Sequence, residues 1–139
     1  MTVGLRCVLL LLVAVSVASS HTIKSLVAEC KQTMPVSDEL EKSFLEFQFP
    51  PEEQTTRCMI KCIGEKMQLF DTETGFHLDN IRTLLLGADS SKEFSEEQLK
   101  CLEKVGDDEQ DECGAAFQTY QCFEQEFLEV MKKDEEEQE

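Results

Sequence analysis

Six cysteines constrain this chain more than any other feature: Cys30, Cys58, Cys62, Cys101, Cys113 and Cys122, with gaps of 27, 3, 38, 11 and 8 residues. A seventh, Cys7, stands apart near the start. Cysteine at this density in 139 residues suits an oxidising compartment, where bridges persist. Six cysteines allow fifteen pairings, and spacing alone does not choose among them. Cys58 and Cys62 stand at i and i+4 in a segment of helical period, so both project from one face. Parallel side chains one turn apart are badly placed for the disulfide dihedral, so each must bind a different element. Cys113 and Cys122, about two and a half turns apart on another helical pattern, face different ways and also bind different elements. Zinc is a poor alternative, because zinc sites favour C-x2-C or closely spaced His pairs and the only histidines are His21 and His77.

Residues 1–20, MTVGLRCVLLLLVAVSVASS, account for the odd count. Arg6 is their only charge, an apolar run from Cys7 to Val17 follows, and Ala18, Ser19 and Ser20 are small. That is the layout of a secretory signal peptide, with cleavage after Ser20 or after Ala18. The run is shorter than the ~20 residues a membrane anchor needs. Removing it takes away Arg6 and Cys7, leaving six cysteines and 12 basic residues against 29 acidic ones. A net charge this negative argues against nucleic acid as a partner, since phosphate binding needs basic patches. A hydrophobic content of 41% argues against an intrinsically disordered acidic chain.

The rest reads as an all-α fold of six short helices. Strand-like alternation is scarce, whereas helical stripes recur. Ile23 to Thr33 places Ile23, Leu26, Val27 and Cys30 on one stripe. Ser37 caps a second helix with Asp38 and Glu39 in its first turn and Leu40, Phe44 and Phe47 along it, ended by Phe49-Pro50-Pro51. Glu52 to Phe70 is the strongest helical pattern. Asp71 to Gly75 is a turn, and a fourth helix follows from Leu78 to Leu86 with Gly87 as its stop. Ser95-Glu-Glu-Gln98 is a capping box that opens the fifth helix. The sixth starts after the acidic run Asp107 to Glu112 and carries Cys113, Ala116, Phe117, Tyr120, Phe123, Phe127 and Met131. The expected organisation is a signal peptide over 1–20, one helical domain over 21–133 and an acidic flexible tail over 134–139. None of these helices is long enough to be stable alone, so disulfides must staple them.

This combination of leader, helices and cysteine gaps resembles the six-cysteine insect odorant-binding proteins, the pheromone/general odorant-binding family. The C-x3-C of Cys58 and Cys62 and the C-x8-C of Cys113 and Cys122 carry the resemblance. Phe70-Asp-Thr-Glu-Thr-Gly75 followed by Leu78 looks like the family's turn between its third and fourth helices, and Cys113 to Cys122 looks like its last helix. The resemblance implies the pairing Cys30–Cys62, Cys58–Cys113 and Cys101–Cys122. It also implies an internal apolar cavity and a secreted carrier of small hydrophobic odorants, pheromones or lipids. Such a carrier works through sensillar lymph or another body fluid, as a monomer or weak homodimer, with an odorant receptor or other membrane protein as a further partner. Similar proteins carry other hydrophobic molecules in gustatory, haemolymph, salivary or reproductive fluid, and the sequence does not separate these roles.

An apolar ligand needs a concave apolar wall with few polar groups. The inward stripes offer Ile63, Met67 and Phe70, then Leu78, Ile81 and Leu85, then Phe117, Tyr120 and Phe123, although such stripes also form solid core. Met67 suits an irregular wall, and the hydroxyl of Tyr120, the single tyrosine, either orients a polar ligand head or bonds a backbone carbonyl. His77, just before the fourth helix, is either an exposed turn residue or a pH trigger. Together with 29 carboxylates it suggests affinity that falls between about pH 7 and pH 5. The charged end, Lys132 to Glu139, is too costly to bury and is expected outside the cavity.

Other chemistry finds little footing. Secreted phospholipases need a His–Asp pair and a calcium loop, whereas His77 is followed by Leu78-Asp79 with no glycine-rich loop. Serine hydrolysis lacks a G-x-S-x-G elbow. Asp107, Asp108, Glu109, Asp111 and Glu112 lack the alternating pattern of a calcium loop and read as charge suited to a helix N-terminus. Membrane-active helical proteins have other cysteine spacings, and strong negative charge opposes anionic lipid. The chain is therefore expected to be no enzyme and to need no cofactor or metal.

Overall fold

The computed structural model describes residues 22–87, 91–106 and 111–138. The leader expected over 1–20 and the acidic residues 107–110 lie outside the described residues. Helix α1 (Ile23–Cys30) runs into a single 3-10 turn (Lys31–Thr33) and is followed by α2 (Asp38–Leu45) and α3 (Gln54–Lys66). Two-residue strands β1 (Phe70–Asp71) and β2 (Gly75–Phe76) pair antiparallel, Phe70 opposite Phe76 and Asp71 opposite Gly75. Helices α4 (Leu78–Leu86), α5 (Glu96–Glu103), α6 (Glu112–Cys122) and α7 (Glu124–Gln138) complete the described chain. No helix among the described residues is long and apolar enough to cross a membrane.

Local chemistry sets the helix starts. The hydroxyl of Ser37 accepts from Leu40 N at 3.2 Å. Ser95 Oγ accepts from Gln98 N while Gln98 Oε1 accepts from Ser95 N, the reciprocal capping box expected from the sequence. Asp111 Oδ1 caps α6 through Gly114 N at 2.7 Å, and Gln54 at the start of α3 donates to the same carboxylate. Gly87 closes α4 at φ 89°, a conformation open to glycine.

The core lies around α3, whose broadest packing is against α6. The α1 stripe Ile23, Leu26, Val27 and Cys30 is buried against Met59, Ile60 and Ile63 of α3, with Phe44, Phe49, Phe117, Tyr120, Phe127 and Met131 in the same cluster. A smaller cluster holds Ile81, Phe94 and Phe123. Disulfides Cys30–Cys62, Cys58–Cys113 and Cys101–Cys122 join α1 to α3, α3 to α6 and α6 to α5. This is the pairing the resemblance implies, and Cys58 and Cys62 do bind different elements. Each bridge contributes about 3–4 kcal/mol in the chain-entropy model.

Among the described residues seven helices stand where six were expected, because the last one breaks at Phe123. In an unbroken helix Phe123, Phe127 and Met131 share one stripe. The break lets Phe123 enter the smaller cluster, its ring 5.0 Å from that of Phe94, while Phe127 and Met131 turn into the main core. Beyond them α7 continues to Gln138, past the boundary expected at residue 133.

The third helix stops at Lys66 and does not reach Phe70. Gln68 takes a left-handed φ of 61°, Gln68 N donates to Glu65 O at 3.1 Å and Leu69 N donates to Gly64 O at 2.7 Å. That is a Schellman stop, and it turns the chain into the hairpin. The second helix ends the same way: Phe47 has φ 61° and Gln48 N reaches back to Ser43 O. Both stops use side chains where glycine is usual, so neither is announced by composition.

A left-handed non-glycine residue costs about 1–2 kcal/mol, of which glycine's greater unfolded-state freedom returns part. Gln68→Gly is therefore expected to raise the melting temperature by a few degrees, about 1 kcal/mol, and Gln68→Val to lower it; thermal unfolding by circular dichroism checks both.

Candidate functional site

A partly enclosed apolar cavity of about 60 Å³ lies between α3, the hairpin, α4 and α6. Ile60 and Gly64 of α3 form one wall, and Leu69, Phe70 and Phe76 of the hairpin region form the next. Ile81, Leu84 and Leu85 of α4 face Ala116, Thr119 and Tyr120 of α6, and Phe123 and Phe127 flank the break before α7. The surface shown to the cavity is apolar. Of its two hydroxyls, Thr119 Oγ1 donates to Ala115 O at 3.0 Å and Tyr120 OH donates to Glu124 Oε1 at 3.5 Å. Burial pushes the Tyr120 phenol far above its ordinary pKa, and the Glu124 carboxylate adds to the shift. The tyrosine thus gives the cavity its ring, not its hydroxyl, with neighbouring rings of Phe49, Phe117 and Phe127 at 5.8, 5.4 and 5.7 Å.

Of the residues expected on a ligand wall, Phe70, Ile81, Leu85, Tyr120 and Phe123 line the cavity. Ile63, Met67, Leu78 and Phe117 do not. Ile63 and Phe117 are buried in the main core, Met67 packs on it from outside, and Leu78 is 38% exposed in the first turn of α4. The reason is one step of helix register. Ile60 and Gly64 share a face, and so do Ala116 and Tyr120, at i and i+4; Ile63 lies about 100° round from Gly64, and Phe117 about 100° round from Ala116. The cavity opens along faces that carry small residues, whereas the sequence reading followed the bulky ones. Gly64 and Ala116 were the available signal, together with Phe76, which pairs with Phe70 across the hairpin.

The turn that closes the hairpin is a network of short hydrogen bonds. Asp71 Oδ1 accepts from Glu73 N and Thr74 N at 2.9 and 2.6 Å, and Asp71 Oδ2 accepts from Thr74 Oγ1 at 2.6 Å. His77 Nε2 lies 2.5 Å from Asp71 Oδ2, and His77 Nδ1 lies 3.1 Å from Gln68 O. A carbonyl only accepts, so Nδ1 carries a proton; Nε2 faces a carboxylate, so it is best served by a second. The site fits imidazolium. The hydrogen bond to Asp71 and then that to Gln68 O raise the His77 pKa above its usual value, while the hydrogen bonds from Thr74, with that from His77, hold Asp71 well below the carboxylate range. Among the described residues no group of three or more His, Cys, Asp or Glu is placed to hold a metal ion.

Comparison with known proteins bears on this geometry. The structure superposes on Anopheles gambiae odorant-binding protein 22a with bound odorant cyclohexanone at a TM-score of 0.61. That superposition covers 79% of this chain and 95% of the other at 24% identity, a likeness of fold. A second crystal structure of odorant-binding protein 22a gives a TM-score of 0.59 over 74% and 97% of the two chains, at 24% identity. By sequence the chain is 32% identical to odorant-binding protein 22 of Aedes aegypti over 117 residues, 84% of this chain and 83% of that one. It is 28% identical to general odorant-binding protein 99a of Drosophila melanogaster over 119 residues, 84% and 82% of the two chains. The model of the PBP/GOBP family matches residues 14–126, a range that contains all three bridges. The chain belongs to that family, the six-cysteine insect odorant-binding proteins.

Proposed function

We propose that this protein is a secreted carrier that encloses small, weakly polar hydrophobic molecules of the odorant class between α3, the hairpin, α4 and α6. The observation that carries the reading is the apolar cavity, which offers shape and dispersion contacts but no free hydrogen-bonding group. A related Anopheles gambiae protein of the same fold is described with bound cyclohexanone, a compact ring of this class. A signal peptide over residues 1–20 puts the carrier in extracellular fluid, and delivery to a membrane receptor completes the role. It acts by binding and release, without catalysis.

At about 60 Å³ the cavity is smaller than the ~150 Å³ that admits benzene in an engineered protein core. Loading therefore requires a wall to move. The α3–α6 wall is bridged by Cys58–Cys113, whereas the hairpin and α4 lie inside the bridge-free span between Cys62 and Cys101. The yielding wall is α4 with the hairpin. The far end of α7 is no plug: no lining residue lies beyond Phe127.

Three outcomes follow. Cyclohexanone or a similar small ring should displace an apolar fluorescent probe from the protein. Ile81→Lys, which sets a charge on the wall, should weaken binding at least tenfold, while Leu99→Lys on the exposed surface leaves it unchanged. No displacement by any member of a broad hydrophobic panel would sink the carrier reading. Deleting residues 134–139 should leave probe affinity within about twofold of wild type.

Release by acid between about pH 7 and pH 5 is not supported at His77. Its folded-state pKa is raised, so the stabilisation it contributes is complete below the unfolded value of about 6.5 and is lost as pH rises through the folded value. Acid tightens the hairpin at this residue. The melting-temperature difference between wild type and His77→Ala should be larger at pH 6 than at pH 8.5; the reverse order, or weaker probe binding at pH 6 that His77→Ala abolishes, would restore His77 as an acid trigger.

A further inference from the structure

Gly64 sits two residues before the end of α3, where glycine weakens a helix relative to alanine. Two ordinary reasons for an interior glycine are missing. Its φ is not in the left-handed region, unlike those of Gly75, Gly87 and Gly106. No backbone crowds it either: a Cβ built at Gly64 meets a single heavy atom within 4 Å, Phe70 Cβ at 3.5 Å, an ordinary van der Waals contact. The hydrogen bond it makes, Leu69 N to Gly64 O, uses the main chain and is open to any residue. What the missing side chain does is leave space, and that space is in the cavity wall.

We infer that Gly64 is a specificity-determining residue: the hydrogen at this position sets the upper size of the ring that the cavity admits. In a cavity of about 60 Å³ a methyl group added to the wall takes room that a ring would otherwise occupy. The wall carrying Gly64 is also the one least able to retreat, because Cys58 and Cys62 fasten α3 to α6 and α1. Volume added there is not recovered by movement of α3. Ala116, on the lining face of α6, is the second small residue and the place where volume can be returned. The inference rests on the carrier reading and names the size class of its ligand, compact rings with no need of a hydrogen-bond partner.

The test is a series of cyclic ketones from cyclopentanone to cyclooctanone, competed against an apolar fluorescent probe on wild type, Gly64→Ala, Ala116→Gly and the double variant. Gly64→Ala should melt a few degrees higher than wild type, because alanine favours the helix. It should also lose affinity in a graded way, little for the smallest ring and about tenfold for the largest that wild type binds. Ala116→Gly should shift the preference towards larger rings, and the double variant should return it to the wild-type order. Loss of equal size across the series in Gly64→Ala, or no loss, overturns the assignment, since a stiffer helix end would act on all rings alike. A double variant that keeps the order of Gly64→Ala also overturns it. If wild type binds no hydrophobic compound, the carrier reading itself fails; if wild type binds and only the size grading is missing, the failure belongs to Gly64 alone.

Discussion

The chain of covalent links from α1 through α3 and α6 to α5 is what the rest of the structure depends on. It fixes four helices of 8 to 13 residues that are individually too short to persist in water. Because Cys58 and Cys62 of α3 bind α6 and α1, that helix is tied to two neighbours and becomes the reference against which the others pack. The elements left out of the chain of bridges are α2, the hairpin, α4 and α7, and they are held by packing, hydrogen bonds and ion pairs without a covalent link. The protein thus divides into a covalently braced frame and a set of packed walls. The cavity lies where the frame meets those walls.

This division fits a family that binds and releases apolar molecules. A site enclosed wholly by braced helices would have no way to enlarge, since packed interiors do not stretch continuously. A site without bracing would collapse, because empty apolar volume forfeits contacts. Here the side carrying Gly64, Ala116 and Tyr120 belongs to the frame, and the side carrying Phe70, Phe76, Ile81 and Leu85 belongs to the hairpin and α4. The hydrogen-bonded turn around Asp71, Thr74 and His77 gives the hairpin an order of its own although it has only two residue pairs in register.

Much of this was legible in the sequence where a residue type has one physical use. Ser37 and Ser95 are caps because a hydroxyl at that place satisfies an open amide, and Gly87 is a stop because its φ of 89° is costly for other residues. Helical spacing told that Cys58 and Cys62 bind different partners. The stops at Phe47 and Gln68 were not legible, since their left-handed backbone is imposed by tertiary packing on residues that do not favour it. Nor was the break at Phe123, whose side chain leaves its stripe to meet Phe94. Of the side chains expected on a ligand wall from inward stripes, five stand at the cavity, but its outline was not legible because a void is made by what is missing. Gly64 and Ala116 have too little side chain to mark a wall, whereas the bulky Ile63 and Phe117 are buried in the main core.

The break at Phe123 leaves the molecule with two hydrophobic clusters in place of one. Phe127 belongs to the larger and Phe123 to the smaller, and both reach the cavity, as do Ile60 from the larger and Ile81 from the smaller. The void is therefore a seam between two cores. On the carrier reading, a molecule seated in it would touch both and join them, so that the two clusters would unfold more nearly as one unit when it is present. Cargo would then act as a piece of the interior, changing the cooperativity of unfolding as well as its midpoint.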